Sequence, residues 1–234
     1  MTMDLYSFTV EGRSILVYRS IFAPVKSNMY VIPVEDEAIV FDPNANESLL
    51  RLFSEKEIRK VHIFLTHEHY DHTSGINWLK EHLECDLYCQ RLCSESIAVE
   101  HNNNPALVAL VLAEEDKKDN GTRYRDFKAG FVPYTCQSDY TFDKVEKYII
   151  GSIKITAHAT PGHSPGSCCY TIDNKIVLTG DTLLQNTPVI TRFVESSKAD
   201  YDLWALPYLR TLSRDSIILP GHGNPFVLAE TNNI

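Results

Sequence analysis

The apolar positions of this chain fall into short runs punctuated by turn residues. Leu5 to Val10 and Ile15 to Tyr18 alternate apolar with polar side chains, and Glu11-Gly12-Arg13 between them reads as a turn, so the pattern predicts an opening hairpin. Asn28 to Pro33 and Ala38 to Asp42 read as two more strands around the polar turn Val34-Glu35-Asp36-Glu37. Leu49, Leu50, Leu52, Phe53 and Ile58 then form a helical stripe. The apolar run from Val61 to Leu65 predicts a buried strand, and Ile76, Trp78, Leu79 and Leu83 predict a helix after it. A strand from Asp86 to Gln90 and a helix near Ser94 to Glu100 follow.

The pattern blurs after Asn102-Asn103-Asn104-Pro105. Ala106 to Ala113 looks helical and Glu114 to Arg125 is polar, so residues 102–140 are expected to form an irregular, partly helical insertion within a single domain spanning 1–234. Hairpins return with Lys147 to Ile150 and Ile153 to His158, then with Cys168 to Ile172 and Lys175 to Thr179. Asp200 to Leu212 reads as a helix with Leu203, Leu206, Leu209 and Leu212 on one stripe, and Pro207 predicts a kink or break in it. Ile217 to Leu219 is a last buried strand. The two halves share a plan of strands, then helix, then a strand ending in a polar loop.

The chemistry concentrates at those strand ends. Thr66-His67-Glu68-His69-Tyr70-Asp71-His72 places three imidazoles and a carboxylate within six residues, between a strand and a helix start. On a loop such side chains can converge on one point, whereas on an extended strand they would alternate between faces. Imidazole and carboxylate are ligand types for zinc, iron and manganese. Three further places repeat the arrangement of an apolar strand and a tight loop: His163 in Thr160-Pro161-Gly162-His163-Ser164-Pro165-Gly166-Ser167, Asp181 after Gly180, and His222 in Pro220-Gly221-His222-Gly223. The seven candidates His67, His69, Asp71, His72, His163, Asp181 and His222 exceed a tetrahedral site and suit two metals sharing a carboxylate.

Composition narrows the partners. A net charge of -9 argues against a nucleic-acid surface, which needs clustered Lys and Arg. No apolar run is long enough to span a membrane, and Met1-Thr2-Met3-Asp4-Leu5 does not resemble a secretory signal, so a cytoplasmic location is expected. The six cysteines make no CxxC pair and are expected to be small buried hydrophobes. The expected partner is a small-molecule substrate, with the oligomeric state open and a homodimer among the options. Trp78 and Trp204 are expected in the core, and His62, His82, His101 and His158 in structural or exposed positions. Tyr124, Phe127, Phe131 and Tyr134 are candidates to wall a pocket but are expected simply to pack. Arg192 and Lys198 are expected to be solvated.

HxHxDH at His67 to His72, the TPGHSPGS loop, Gly180-Asp181 and PGHG at His222 together resemble the metallo-β-lactamase superfamily over most of the chain. The resemblance implies an α+β fold, the αββα sandwich, in which two mixed sheets pack face to face with helices outside. It implies that His67, His69 and His163 hold one metal, Asp71, His72 and His222 a second, and Asp181 bridges them. Zinc is the first expectation for the two divalent ions, with iron or manganese next. An Asp at position 181 is similar to the glyoxalase II and lactonase branches. Two departures withhold their substrates. The Cys-Gly-Arg segment of glyoxalase II is replaced by Thr182-Leu183-Leu184-Gln185-Asn186, and Leu184 stands near the Tyr of acyl-homoserine lactonases.

The function expected is hydrolysis of a small ester, thioester or lactone by a metal-bridging hydroxide, with Asp71 orienting it and passing a proton to the leaving group. The alternatives are a mononuclear iron oxidoreductase resembling persulfide dioxygenases, using His67, His163 and Asp181, and a phosphodiesterase on the same fold.

Overall fold

A computed structural model describes residues 3–103 and 105–234, the side chain of Leu107 excepted. The first sheet contains β1 (Asp4–Val10), β2 (Arg13–Phe22), β3 (Ser27–Val34), β4 (Glu37–Phe41), β5 (Lys60–Phe64), β6 (Glu84–Gln90) and β7 (Tyr140–Phe142), side by side in chain order. The first four are an antiparallel meander, and the last four run parallel. The second sheet contains β8 (Val145–Ile150), β9 (Ile153–Ala159), β10 (Cys168–Ile172), β11 (Ile176–Gly180), β12 (Ile217–Pro220) and β13 (Phe226–Val227), again in chain order. Only β11 and β12 pair in parallel there.

The central strands are continuous apolar runs because both their faces are buried. On β3 and β4, Tyr30, Ile32, Ile39 and Phe41 face the second sheet, while Met29, Val31, Ala38 and Val40 face the helices. The second sheet repeats this: Tyr170 and Leu178 enter the layer between the sheets, and Cys169 and Val177 the outer layer. Successive side chains of a strand point to opposite faces, so one run feeds two cores. Three layers of core therefore separate helix, sheet, sheet and helix: the αββα sandwich. On the first sheet pack α1 (Glu47–Glu55), the single turn α2 (Tyr70–Thr73), α3 (Ile76–His82) and α4 (Arg91–Ile97). All six cysteines are free, five of them buried and Cys85 partly so.

Three expectations change. The segment expected to be irregular and partly helical holds two helices, α5 (Ala106–Asp119), which begins where a helix was expected and runs on through the polar stretch, and α6 (Arg123–Gly130), which was not expected. Apolar residues crowd the first half of α5 and charges the second, so it has no stripe, and Leu110 and Val111 stay exposed. The long helix near the C-terminus is three pieces: α7 (Lys198–Asp200), a π-helical turn over Tyr201–Ala205, and α8 (Leu206–Thr211). Pro207 has no N–H for the Leu203 carbonyl, and Leu206 reaches back to Tyr201 instead. The wide turn sends Tyr201, Ala205 and Leu209 inward and leaves Leu203 64% and Trp204 49% exposed, so Trp204 is not a core residue and the leucine stripe is broken. Finally, Asp71 and His72 lie on the turn α2 rather than on an open loop. Trp78 packs against the outer core of the first sheet as expected. No helix among the described residues is long and apolar enough to cross a membrane.

Candidate metal centre

The candidate ligands meet at one edge of the sandwich, beyond the carboxyl ends of the parallel strands, where open sheets leave room for ligands. The chain leaves β5 through Thr66 and delivers His67 and His69. The turn α2 delivers Asp71 and His72, the β9–β10 connection His163, the end of β11 Asp181, and the end of β12 His222. His67, His72 and His163 are buried, His69, Asp71 and Asp181 are partly buried, and His222 is the most open of the set.

Two groups of ligand atoms form, with Asp181 between them. His69 Nδ1 lies 3.1 Å from His67 Nε2 and 3.1 Å from His163 Nε2. Asp71 Oδ2 lies 3.3 Å from His72 Nε2 and 3.4 Å from His222 Nε2. Asp181 directs Oδ1 at His72 Nε2, 3.7 Å away, and Oδ2 at His163 Nε2 and His222 Nε2, both 3.5 Å away. These separations match those between ligands of a tetrahedral zinc with bonds of about 2.0–2.1 Å, which are about 3.3 Å apart.

Hydrogen bonds on the far side of each ring settle what these nitrogens are. His163 Nδ1 donates to the Ile190 carbonyl at 3.0 Å, leaving an Nε2 lone pair toward the cluster. Thr66 Oγ1 donates to Asp42 Oδ2 at 2.7 Å and so accepts from His67 Nδ1 at 3.0 Å, which leaves the His67 Nε2 lone pair facing inward too. Two acceptor nitrogens, His67 Nε2 and His163 Nε2, thus converge on the single nitrogen His69 Nδ1, which has at most one proton to offer them. His72 Nε2 and Asp181 Oδ1 are buried with no hydrogen-bond partner among the described residues. Buried polar atoms are rarely left so, and orphans converging on one point are the signature of a cation site.

The charges sort the same way. Burial, then the neighbouring imidazoles, hold His67 well below the ordinary histidine pKa, and His69 is pushed down to about 3 for the same reasons. Burial also lowers His163. Burial opposes charge on His72, but Asp71 and Asp42 outweigh it and raise its pKa well above the usual value. His222 is likewise raised against burial by Asp181 and Asp71. Burial resists ionisation of Asp71 and Asp181, yet the surrounding imidazoles hold both below the carboxylate range. Without a metal, protons on His72 and His222 supply the positive charge the two carboxylates need.

Several residues of the centre were not picked out from the pattern. Asp42, at the end of β4, binds Thr66 N through Oδ1 at 2.7 Å and His72 Nδ1 through Oδ2 at 2.9 Å. It ends an apolar run as the candidate ligands do, and that was its signal. Glu68 is buried and points away from the ligands. It accepts from Ser164 Oγ at 3.0 Å and from Gly166 N at 3.2 Å, tying the His67 segment to the His163 loop. At Gly221 a Cβ would run into Asp181 Oδ1, so the chain passes beneath the carboxylate only as glycine.

Beside the cluster lies a cavity of about 260 Å³, bounded by His69, Asp71, Tyr70, Val108, Phe193 and Val194. The Phe193 ring stands edge-on to both His69 and His163, with centroids 5.7 Å away. The insertion closes the other side. Phe127, Phe131 and Tyr134 all pack on Tyr70, and Tyr134 Oη is 2.8 Å from Thr73 Oγ1, so they anchor the insertion to α2. His62 and His82 have local structural partners, Tyr88 Oη and the Trp78 carbonyl. His101 is exposed at the cavity rim and His158 stacks on Tyr208. Arg192 is exposed, and Lys198 pairs with Asp202.

The profile of the metallo-beta-lactamase superfamily matches residues 23–222. A Bacillus subtilis (strain 168) protein described as "Probable metallo-hydrolase YqgX" is 25% identical over 202 residues, 86% of each chain. Among solved structures, the BLEG-1 B3 metallo-beta-lactamase superposes with a TM-score of 0.71 at 21% identity, over 92% of this chain and 95% of its own. TTHA1623 in a di-iron-bound form superposes with a TM-score of 0.66 at 21% identity, over 91% and 95%. At these identities the structures speak for the fold.

Proposed function

The chain belongs to the metallo-beta-lactamase superfamily, and from that footing we propose that this metal-dependent hydrolase is dinuclear and cleaves a small ester, thioester or lactone. The observation that carries the proposal is the buried pair His72 Nε2 and Asp181 Oδ1, without a hydrogen bond among the described residues, between two groups of converging donors. His67, His69 and His163 would hold one ion, Asp71, His72 and His222 the other, and Asp181 would reach both. The His-rich donor set suits zinc, and iron or manganese are compatible with it; the di-iron form of TTHA1623 is a precedent on the same fold.

When bound, the two cations acidify a water and polarise a carbonyl oxygen. The protein does the rest. Asp42 and the Ile190 carbonyl hold His72 and His163 so that Nε2 faces inward. Asp71, held ionised by His72 and His222 against burial, would orient a water and pass its proton to a departing alcohol or thiol. Phe193 and Val108 supply apolar lining to the cavity beside the cluster.

Elemental analysis of the purified protein, followed by assays on thioesters, lactones and phosphodiesters, tests this reading. Close to two divalent ions per chain and turnover of an ester or lactone are expected. A single iron per chain with oxygen uptake on a persulfide would overturn it in favour of an oxidoreductase, and turnover confined to phosphodiesters would overturn the substrate class.

A further inference from the structure

A second cavity of about 490 Å³ lies on the other side of the His163 loop. Pro161, Gly162 and Pro165 form its near wall, and Trp204 and Tyr208 its far wall. Two elements run past both cavities. Helix α4 presents Ser96 to the cavity beside the cluster and Leu92, one turn earlier, to the second. The segment 193–197 presents Phe193 to the first, Ser197 to the second, and Glu195 to both. Glu195 lines both cavities, so the two adjoin at that residue.

We propose that the two cavities join into one groove that forms an extended substrate site: the scissile carbonyl lies at the cluster, and an uncharged aromatic or branched aliphatic arm of the same molecule occupies the Trp204 cavity. The proposal rests on the hydrolase reading and names its substrate class.

The shape and charge of the groove specify the arm. The indole of Trp204 is half exposed, with the Lys144 ammonium 5.5 Å from its ring centroid. Tyr208 stacks on His158 at 4.4 Å, and Tyr208 Oη pairs with Thr171 Oγ1 at 2.9 Å, so the aromatic wall is fixed and its polar atom satisfied. The π-helical turn that turns Trp204 outward is itself packed on the His163 loop. A Cβ at Gly162, whose φ is +142°, would strike Tyr201, and Ser197 N donates to the Gly162 carbonyl at 2.8 Å. The platform is therefore held at a set distance from His163. Among the described residues Lys144 is the only Lys or Arg lining the Trp204 cavity, and Asp143, Glu195 and Asp200 line it too, Asp143 pairing with Arg91 at 2.7 Å. A carboxylate or phosphate at the end of the arm would meet Glu195 and Asp200 there.

Tryptophan emission and acyl-chain specificity test this together. A neutral, non-hydrolysable amide of 4-phenylbutanoic acid should change the emission of the wild-type protein saturably, and the change should vanish in Trp204→Phe. An amide carrying a terminal carboxylate should bind about tenfold more weakly or worse. Among esters of one alcohol, the 4-phenylbutanoyl ester should have the lower KM. The ratio of its kcat/KM to that of the acetyl ester should fall about tenfold in Trp204→Ala and also in Leu92→Glu, which puts a charge into the same cavity. Acetyl-ester turnover with no emission change and an unmoved ratio in both variants would overturn the groove while leaving the hydrolase standing. A saturable, Trp204-dependent emission change in a protein that cleaves no ester would support the arm cavity and sink the hydrolase reading instead.

Discussion

Asp42 Oδ2 lies 2.9 Å from Nδ1 of His72, and both side chains are buried. The carboxylate fixes the ring so that its remaining nitrogen faces Asp71 and Asp181, and its other oxygen holds the Thr66 N–H where the chain turns out of β5. One side chain thus sets both the His72 ligand and the segment that carries His67. Asp42→Asn keeps the shape and removes the charge. It should lower metal affinity by about 10–100-fold, the usual effect of losing such a partner. Competition with a chromogenic chelator reads this directly, and an unchanged affinity would reject the positioning role.

The two groups of donors should part with metal at different pH. His67, His69 and His163 are already deprotonated in the metal-free fold, His69 down to about 3. His72 and His222 hold protons above the usual histidine range and must lose them for metal to bind. On acidification, metal content should step to about one equivalent per chain before it reaches zero, with the Asp71/His72/His222 group emptying first. Elemental analysis after equilibration at stepped pH checks the order. Simultaneous loss would contradict it.

The same shifts give the metal-free protein a stability maximum near neutrality. The lowered pKa values of His67, His69 and His163 mean that the unfolded chain binds more protons below the ordinary value of 6.5, so stability falls as the pH drops from there toward their folded values. The raised values of His72 and His222 work in the other direction. Their contribution is complete below 6.5 and disappears as the pH rises through their folded values. Thermal midpoints measured in chelator should decline on both sides, and a monotonic rise toward acid pH would refute this assignment of charge.

Glu68 should behave as a clamp rather than a ligand. Glu68→Ala leaves Ser164 Oγ and Gly166 N without their buried acceptor and should destabilise the fold by about 1–3 kcal/mol. Metal should be lost mainly from the group containing His163, while Glu68→Asp or Glu68→Gln should restore part of the affinity. Chemical denaturation with parallel metal counts separates this from a direct ligand, whose removal would cost metal without first loosening the loop.

Gly221→Ala should fold but bind metal poorly. Its new methyl group would collide with Asp181 Oδ1 and crowd the His72 ring, while β12 itself retains its pairing with β11. Near-native circular dichroism with at least one ion missing per chain is expected, and full metal occupancy would show that the close approach can relax.

What was legible in the residues, and what was not, divides along a physical line. Nearly all the strands and the helices α1, α3 and α4 could be read from the chain, because a strand buried on both faces has to be an unbroken apolar run and a helix on a sheet has to carry a stripe. The candidate ligands could be read because they stand where those runs stop, in tight loops marked by glycines and prolines. The polar second half of α5 and the whole of α6 escaped because they lack an apolar stripe. Trp204 was misplaced because a π-helical turn changes which side of a helix faces inward, and the periodicity rests on the ordinary pitch. The partners of the ligands were decided in three dimensions alone. Asp42 reaches His72 across thirty positions, between neighbouring strand ends of the first sheet, and Glu68 reaches Gly166 across ninety-eight, from one sheet to the other at the shared edge of the sandwich. A one-dimensional pattern records what each residue needs, burial or water, but the neighbour that meets a buried polar need is chosen only when the layers close.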